Sequence, residues 1–141
     1  MRENPFFWEL FSKVPIIGIV RNLAFDDLKN ILPQFHDAGL TNIEITMNTA
    51  RAGEMIKYAV DNYSTSMNIG AGTVCSEDDL NKALDAGARF IVTPIINEKV
   101  ILNCVDKKIP IFPGAFTPSE IYRAWSMGAS MIKIFPATTV G

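Results

Sequence analysis

One histidine and two cysteines in 141 residues leave little with which to hold a metal or build a disulfide framework. Cys75 and Cys104 are far apart and lack ligand spacing, so the chain reads as reduced and cytoplasmic. His36 alone cannot make a metal site and is read as a helix-surface residue; no metal and no cofactor are expected. Positive charge is not in surplus either. Thirteen Lys and Arg against fifteen Asp and Glu give a net charge of −2, with no basic stripe, which argues against a nucleic-acid partner. No apolar run approaches the ~20 residues of a membrane span. The N-terminal stretch "RENPFFWELFSKVP" carries Glu3, Glu9 and Lys13 among its aromatics, which is not a signal-peptide pattern. A membrane-surface helix would want more Lys and Arg on its polar face. A dinucleotide fingerprint is also missing: "GIVRNLAFDD" is not G-x-G-x-x-G.

What is present suits a soluble domain. Hydrophobic residues make up 48% of the chain and charged residues 20%, enough for a single domain over residues 1–141 with a real core. Phe6, Phe7, Leu10, Phe11 and Val14 fall at helical spacing and predict a short amphipathic helix at about 5–13, packed on the domain. Six apolar runs read as strands: "PIIGIVR" (15–21), "NIEITM" (42–47), "MNIGAGT" (67–73), "FIVTP" (90–94), "IPIFPGA" (109–115) and "MIKIFPA" (131–137). Their near-continuous apolarity is that of parallel strands covered on both faces. Helix starts stand between them. Ser76 followed by Asp79 fits a capping box, and Thr117-Pro118-Ser119-Glu120 fits one better, with Pro at the first helical position. Strand and helix in alternation predict an α/β fold with a parallel sheet. A doubly wound sheet of six strands is the competing architecture, and the missing fingerprint counts against it.

A weak internal repeat bears on the site. "HDAGLTNIEIT", "LDAGARFIVTP" and "WSMGASMIKIF" share one layout of helix end, glycine, short link and strand. Gly39, Gly87 and Gly128 are expected as left-handed helix C-caps. Five residues after each come Glu44, Val92 and Lys133. Side chains alternate along a strand, so equal offsets predict equal orientation at similar depth. If the sheet curls into a barrel, that face is the interior. Sites in α/β folds lie at the C-terminal ends of strands. Here those ends hold Arg21, then Glu44 with Thr46 and Asn48, then Thr73, Thr93, Gly114 and Lys133. "GAG" at 70–72 is expected to mark a close backbone approach or a tight turn.

Lys133 in "MIKIF" is the sharpest feature. Burial disfavours an ammonium, and a neutral lysine amine is a nucleophile that forms Schiff bases with carbonyl substrates. The plainer reading is a lysine snorkelling from a strand end. Glu44, between two isoleucines, suits a general acid/base; its structural alternative is an ion pair with Lys133 or Arg21. Thr73 and Thr93 read either as hydrogen-bond donors to a substrate or as caps of the following helices. Arg21 reads as an anion ligand or as an exposed loop residue.

In this order, "GIVR", "IEITMNT", "GAGTV", "FIVTP", "IPIFPGAFTPSE" and "IKIFPA" resemble the 2-keto-3-deoxy-6-phosphogluconate aldolase family, which includes 4-hydroxy-2-oxoglutarate aldolases. The resemblance runs from about residue 14 to the end. It implies a metal-free, cofactor-free class I aldolase on a (β/α)8 TIM barrel, with about six of the eight strands in this chain. It also implies a homo-oligomer, a trimer, acting on a small 2-keto acid. By the same resemblance Lys133 is the Schiff-base lysine, Glu44 the general acid/base and Thr73 the ligand of the pyruvyl carboxylate. Pro94 and Phe135 shape the pocket wall, and Arg21, Thr46 and Asn48 complete the substrate-binding set. Cleavage would give pyruvate and an aldehyde, glyceraldehyde 3-phosphate or glyoxylate.

Two departures from the family pattern stand out. The family commonly carries arginine two residues after the threonine of the "E-x-T" strand, where this chain has Asn48, which can hydrogen-bond but brings no charge. Arg51 lies nearby in sequence. The other departure is length. A barrel of this family runs to roughly 200 residues, and its last two strands supply loops that usually hold phosphate. Six strands are expected here, so the chain reads as truncated, with two sheet edges left to pair. Two further readings follow: an inactive barrel fragment that acts only through assembly, and another phosphate-binding barrel enzyme such as an epimerase.

Overall fold

The computed structural model describes residues 5–139, so Glu3 and the ends of the 1–141 domain span lie outside it. Five βα units follow a first helix, and a sixth strand follows them. Helix α1 (Trp8–Lys13) leads into β1 (Gly18–Val20), α2 (Phe25–Asp37), β2 (Asn42–Thr46), α3 (Ala52–Tyr63), β3 (Asn68–Gly72) and α4 (Glu77–Asp85). Then come β4 (Ile91–Thr93), α5 (Glu98–Asp106), β5 (Ile111–Ala115), α6 (Pro118–Ser126), β6 (Lys133–Ile134) and a 3-10 turn at Ala137–Thr139. All pairings are parallel, and the strand order is β1-β2-β3-β4-β5-β6. A doubly wound sheet reverses its order at a switch point. No reversal occurs here, so the competing architecture is excluded and the sheet is the curled wall of a barrel.

Local signals explain the elements. Ser76 Oγ accepts from the Asp79 amide, and Asp79 reaches back to the Cys75 amide, which starts α4. Thr117 and Glu120 form a full capping box with Pro118 in the first turn of α6. Gly39, Gly87 and Gly128 end their helices at φ of +80°, +95° and +94°, the left-handed region expected of them. The strands are shorter than the apolar runs. β6 is only two residues long because Met131 and Ile132 precede the ladder and Pro136 has no N–H to extend it.

The sheet is apolar on both faces for two different reasons. Its outer face, Ile43, Ile45, Ile69, Ala71, Ile91 and Ile111, packs under helical Leu28, Leu32, Met55, Ile56, Leu80 and Ile101. Its inner face is filled at the N-terminal end by Phe90, Val92 and Phe112, joined by Phe6, Phe11, Ile17 and Met131. Phe6 and Phe90 meet edge to face at 5.4 Å, and Phe90 lies 5.6 Å from Phe112. The N-terminal segment is therefore the barrel's floor.

Two buried asparagines latch that floor. Asn68 accepts from the Phe7 amide at 2.7 Å and donates to the Phe7 carbonyl at 2.9 Å and to Asn42 Oδ1 at 2.8 Å. Asn42 in turn donates to the carbonyls of Val14 and Ile16. These bonds hold Phe7 extended, which is why α1 starts at Trp8 and not at residue 5. Asn68→Ala leaves both backbone polar groups of Phe7 without their partner at a partly buried site. We expect a loss of about 2–4 kcal/mol in chemical denaturation, with faster amide exchange in α1. Unchanged stability would show that the latch contributes nothing.

Candidate active site

Glu44 projects inward from the middle of β2 and is only 2% exposed. It fits because β3 offers no side chain opposite it. A Cβ on Gly72 would lie 2.6 Å from Glu44 Oε1, and a Cβ on Gly70 would lie 2.5 Å from the Phe90 ring. The expected close approach at "GAG" is thus made twice, by an aromatic ring deeper in the barrel and by a carboxyl nearer its rim. Burial pushes the Glu44 carboxyl above its ordinary value, and the charges of Lys133 and Arg21 pull it partly back. Among the described residues, no hydrogen bond or salt bridge ties this carboxyl to another side chain. The structural ion pair with Lys133 or Arg21 is not formed.

Lys133 opens β6, paired with Gly114 of β5, and is half-buried. Its Nζ lies 5.2 Å from the centre of the Phe135 ring. Lys133 and Glu44 line one open cavity of about 210 Å³ with Ile17, Ile19, Val92, Phe112 and Met131. Val92 is the third member of the repeat, so the equal offsets after Gly39, Gly87 and Gly128 do converge on one interior. An amine and a desolvated carboxyl therefore share an apolar chamber without neutralising each other in direct contact. That pairing suits addition of the amine to a carbonyl, with proton transfer from the acid.

The other candidates lie around this chamber. Arg21 is exposed on the turn after β1, and its Nη2 donates to Thr73 Oγ1 at 3.2 Å. Thr73 follows β3 with φ +54°, a conformation that costs a β-branched residue energy and aims its side chain away from the strand's own course. Ser76, not Thr73, caps α4. Thr46 is fully buried, and its hydroxyl lies 2.9 Å from that of Thr49. Asn48 is exposed in the turn after β2. Arg51 pairs with Glu54 and lies over the Phe25 ring, so its guanidinium is engaged away from the chamber. Thr93 is buried and closes a turn on Ile95. Pro94 and Phe135 line a separate cleft of about 480 Å³ with Gly114, Phe116, Glu120 and Arg123. The Phe135 ring also lies beside Lys133.

Several contributors left no mark in the sequence. Ile17, Ile19, Phe112 and Met131 give the chamber its apolar walls, yet each reads as ordinary strand core. Gly72 could be flagged only as a glycine in a strand; its function as the seat of Glu44 appears when β2 and β3 are set side by side.

The pH dependence of Glu44 has a definite sign. Its folded value is raised above the ordinary 4.5, so the native state keeps a proton that the unfolded chain releases. Stability falls as pH rises from 4.5 toward the folded value, and the penalty is complete above it. Glu44→Gln removes the titration. The stability difference between E44Q and the parent should shift in favour of E44Q between pH 4 and pH 7 in denaturation experiments. An equal difference at both pH values would contradict the burial.

A protein-family model described as "Aldolase: KDPG and KHG aldolase" matches residues 9–141. The chain is 33% identical over 130 residues to 2-dehydro-3-deoxy-6-phosphogalactonate aldolase of Escherichia coli K12, covering 92% of this chain and 63% of that protein. It is 35% identical over 136 residues to 2-dehydro-3-deoxy-phosphogluconate aldolase of Haemophilus influenzae, covering 94% and 64%. The solved "Native KDPGal structure" superposes with a TM-score of 0.87 at 33% identity, over 92% of this chain and 63% of that one. A KDPG aldolase from Legionella pneumophila, solved with pyruvate captured as a covalent carbinolamine, superposes at 0.85 with 26% identity, over 94% and 64%. The chain thus spans just under two thirds of the length of the relatives it matches.

Proposed function

The chain belongs to the KDPG and KHG aldolase family, and from that premise we propose that it is a Schiff-base aldolase in which Lys133 is the nucleophile and Glu44 the acid/base. The observation that carries this reading is the apolar chamber holding both side chains, with the carboxyl raised by burial. The substrate class is a 2-keto-3-deoxy-6-phospho sugar acid or 4-hydroxy-2-oxoglutarate, in keeping with the names of the relatives.

The chemistry follows from the two groups. The neutral Lys133 amine adds to the C2 carbonyl, and protonated Glu44 delivers a proton to the oxygen as the carbinolamine forms. Loss of water gives an iminium. Glu44, now a carboxylate, takes the proton of the C4 hydroxyl; the C3–C4 bond breaks, its electrons pass to the iminium nitrogen, and the aldehyde leaves. The resulting enamine takes a proton at C3 from Glu44, and water hydrolyses the iminium to release pyruvate. Burial among the apolar walls favours the protonated form of Glu44.

Around this centre we assign Thr73 and Arg21 to the substrate carboxylate, an assignment supported by their mutual hydrogen bond at the strand ends. Asn48, exposed on the same rim, contacts the substrate without charge. Pro94 and Phe135 shape the wall toward the second cleft, and Thr46 contributes through its hydroxyl network. We read residues 1–141 as one part-barrel domain. We place the enzyme in the cytoplasm, where two free thiols are stable, and in a homotrimer. Oligomerisation is supported by a similar chain, 33% identical with a TM-score of 0.84, within a cage designed by fusing symmetric oligomeric domains.

Incubation with pyruvate and borohydride tests the reading. Intact mass and peptide mapping should show one pyruvyl adduct on Lys133, absent from K133M and slowed about 10²- to 10⁴-fold in E44Q. A folded sample that takes up no adduct, or takes it elsewhere, would overturn it.

A further inference from the structure

The position of Arg21 needs an explanation that its own contacts do not supply. Its side chain is exposed, and its one hydrogen bond is to the Thr73 hydroxyl. A single hydrogen bond offsets little of the rotamer entropy that an arginine side chain gives up when held in one place. The guanidinium keeps its place only if the backbone behind it is fixed. That backbone has no conventional anchor: Ala24 starts α2 without a side-chain cap. Asn22 sits at φ +53°, a left-handed conformation that Asn tolerates but does not prefer.

One buried hydroxyl supplies the anchor. Thr49, 5% exposed, accepts from the Asn22 amide at 3.0 Å. Its oxygen also lies 2.9 Å from Thr46 Oγ1, and its amide donates to the Thr46 carbonyl at 2.9 Å. Among the described residues, this is the one side-chain hydrogen bond to the backbone of residues 21–24. A threonine hydroxyl has one proton and two acceptor sites, so it can take the Asn22 N–H and still share a proton with Thr46. The Asn22 amide and the Thr46 hydroxyl thus occupy two of the three hydrogen-bonding positions of the Thr49 hydroxyl.

We propose that Thr49, backed by Thr46, is a positioning residue: it fixes the turn after β1 through the Asn22 amide and so holds the Arg21 guanidinium on Thr73 at the rim. The proposal rests on the aldolase reading for its consequence, because Arg21 is placed there at the substrate carboxylate. Its physical content does not. Two charges act on Glu44 among the described residues, Lys133 from β6 and Arg21 from this turn. A released Arg21 therefore leaves Glu44 with less positive charge nearby.

Carbon-13 NMR of the Glu44 carboxyl across pH, in wild type, T49V, T49S, R21Q and the T49V/R21Q double variant, separates the possibilities. T49V removes the hydroxyl at nearly constant shape. It should move the Glu44 titration upward, in the direction R21Q does, and add nothing once R21Q is present. T49S keeps the hydroxyl and should restore the parent curve. The pyruvate concentration that half-saturates borohydride trapping should rise ~3- to 10-fold in T49V, with little change in the rate at saturation. If T49V does not fold, T46V should shift Glu44 the same way. A T49V or T46V curve on that of the parent, or shifts that add in the double variant, would overturn the proposal. Absent pyruvate trapping in wild type, with the T49V shift present, would refute the aldolase reading and leave the positioning function standing.

Discussion

The site depends on an empty position. Gly72 faces the barrel interior beside Glu44, and any Cβ there would press on the carboxyl at 2.6 Å. Without that space the Glu44 side chain would have to swing toward the rim and water. With it, the carboxyl lies in the sheet's own shadow, 2% exposed. The burial that raises its pKa follows from this seat. Burying a carboxyl without partners costs stability, so the seat is a local expense set against function.

The interior divides that expense sensibly. Toward the strands' N-terminal ends, Phe6, Phe90 and Phe112 close-pack with Phe11, Ile17 and Met131, and Asn42 and Asn68 fasten the N-terminal segment beneath them. This end is densely packed. Toward the C-terminal ends the same sheet carries Glu44, Lys133, Arg21 and Thr73, with strain at Thr73 and open volume between the groups. Gly70 and Gly72, two residues apart, sit at the boundary: one admits the Phe90 ring of the floor, the other the carboxyl of the site.

Much of this was legible from residues 14–135. Parallel order followed from apolar strands alternating with capped helices, and the helix-ending glycines predicted that Glu44, Val92 and Lys133 would share an interior. Those signals are local, or repeat with the chain. Hidden were the features that exist only between strands. Nothing near Gly72 in sequence announces Glu44, 28 positions earlier. Asn42 and Asn68 carry no local signal of their place as the fully buried latch of the floor. Arg51, close in sequence to the rim, is engaged by Glu54 and Phe25 instead. Pro94 and Phe135 line the second cleft, and nothing in their local sequence shows it.

Gly72→Ala addresses the seat itself. Overpacking of this kind costs about 1–3 kcal/mol, which a barrel with so large a core should survive. If the seat makes the carboxyl effective, the folded G72A protein should show Glu44 displaced toward solvent in a crystal structure, and pyruvate trapping at Lys133 slowed by roughly 10²-fold or more. A folded G72A protein that traps pyruvate at the parent rate would contradict it.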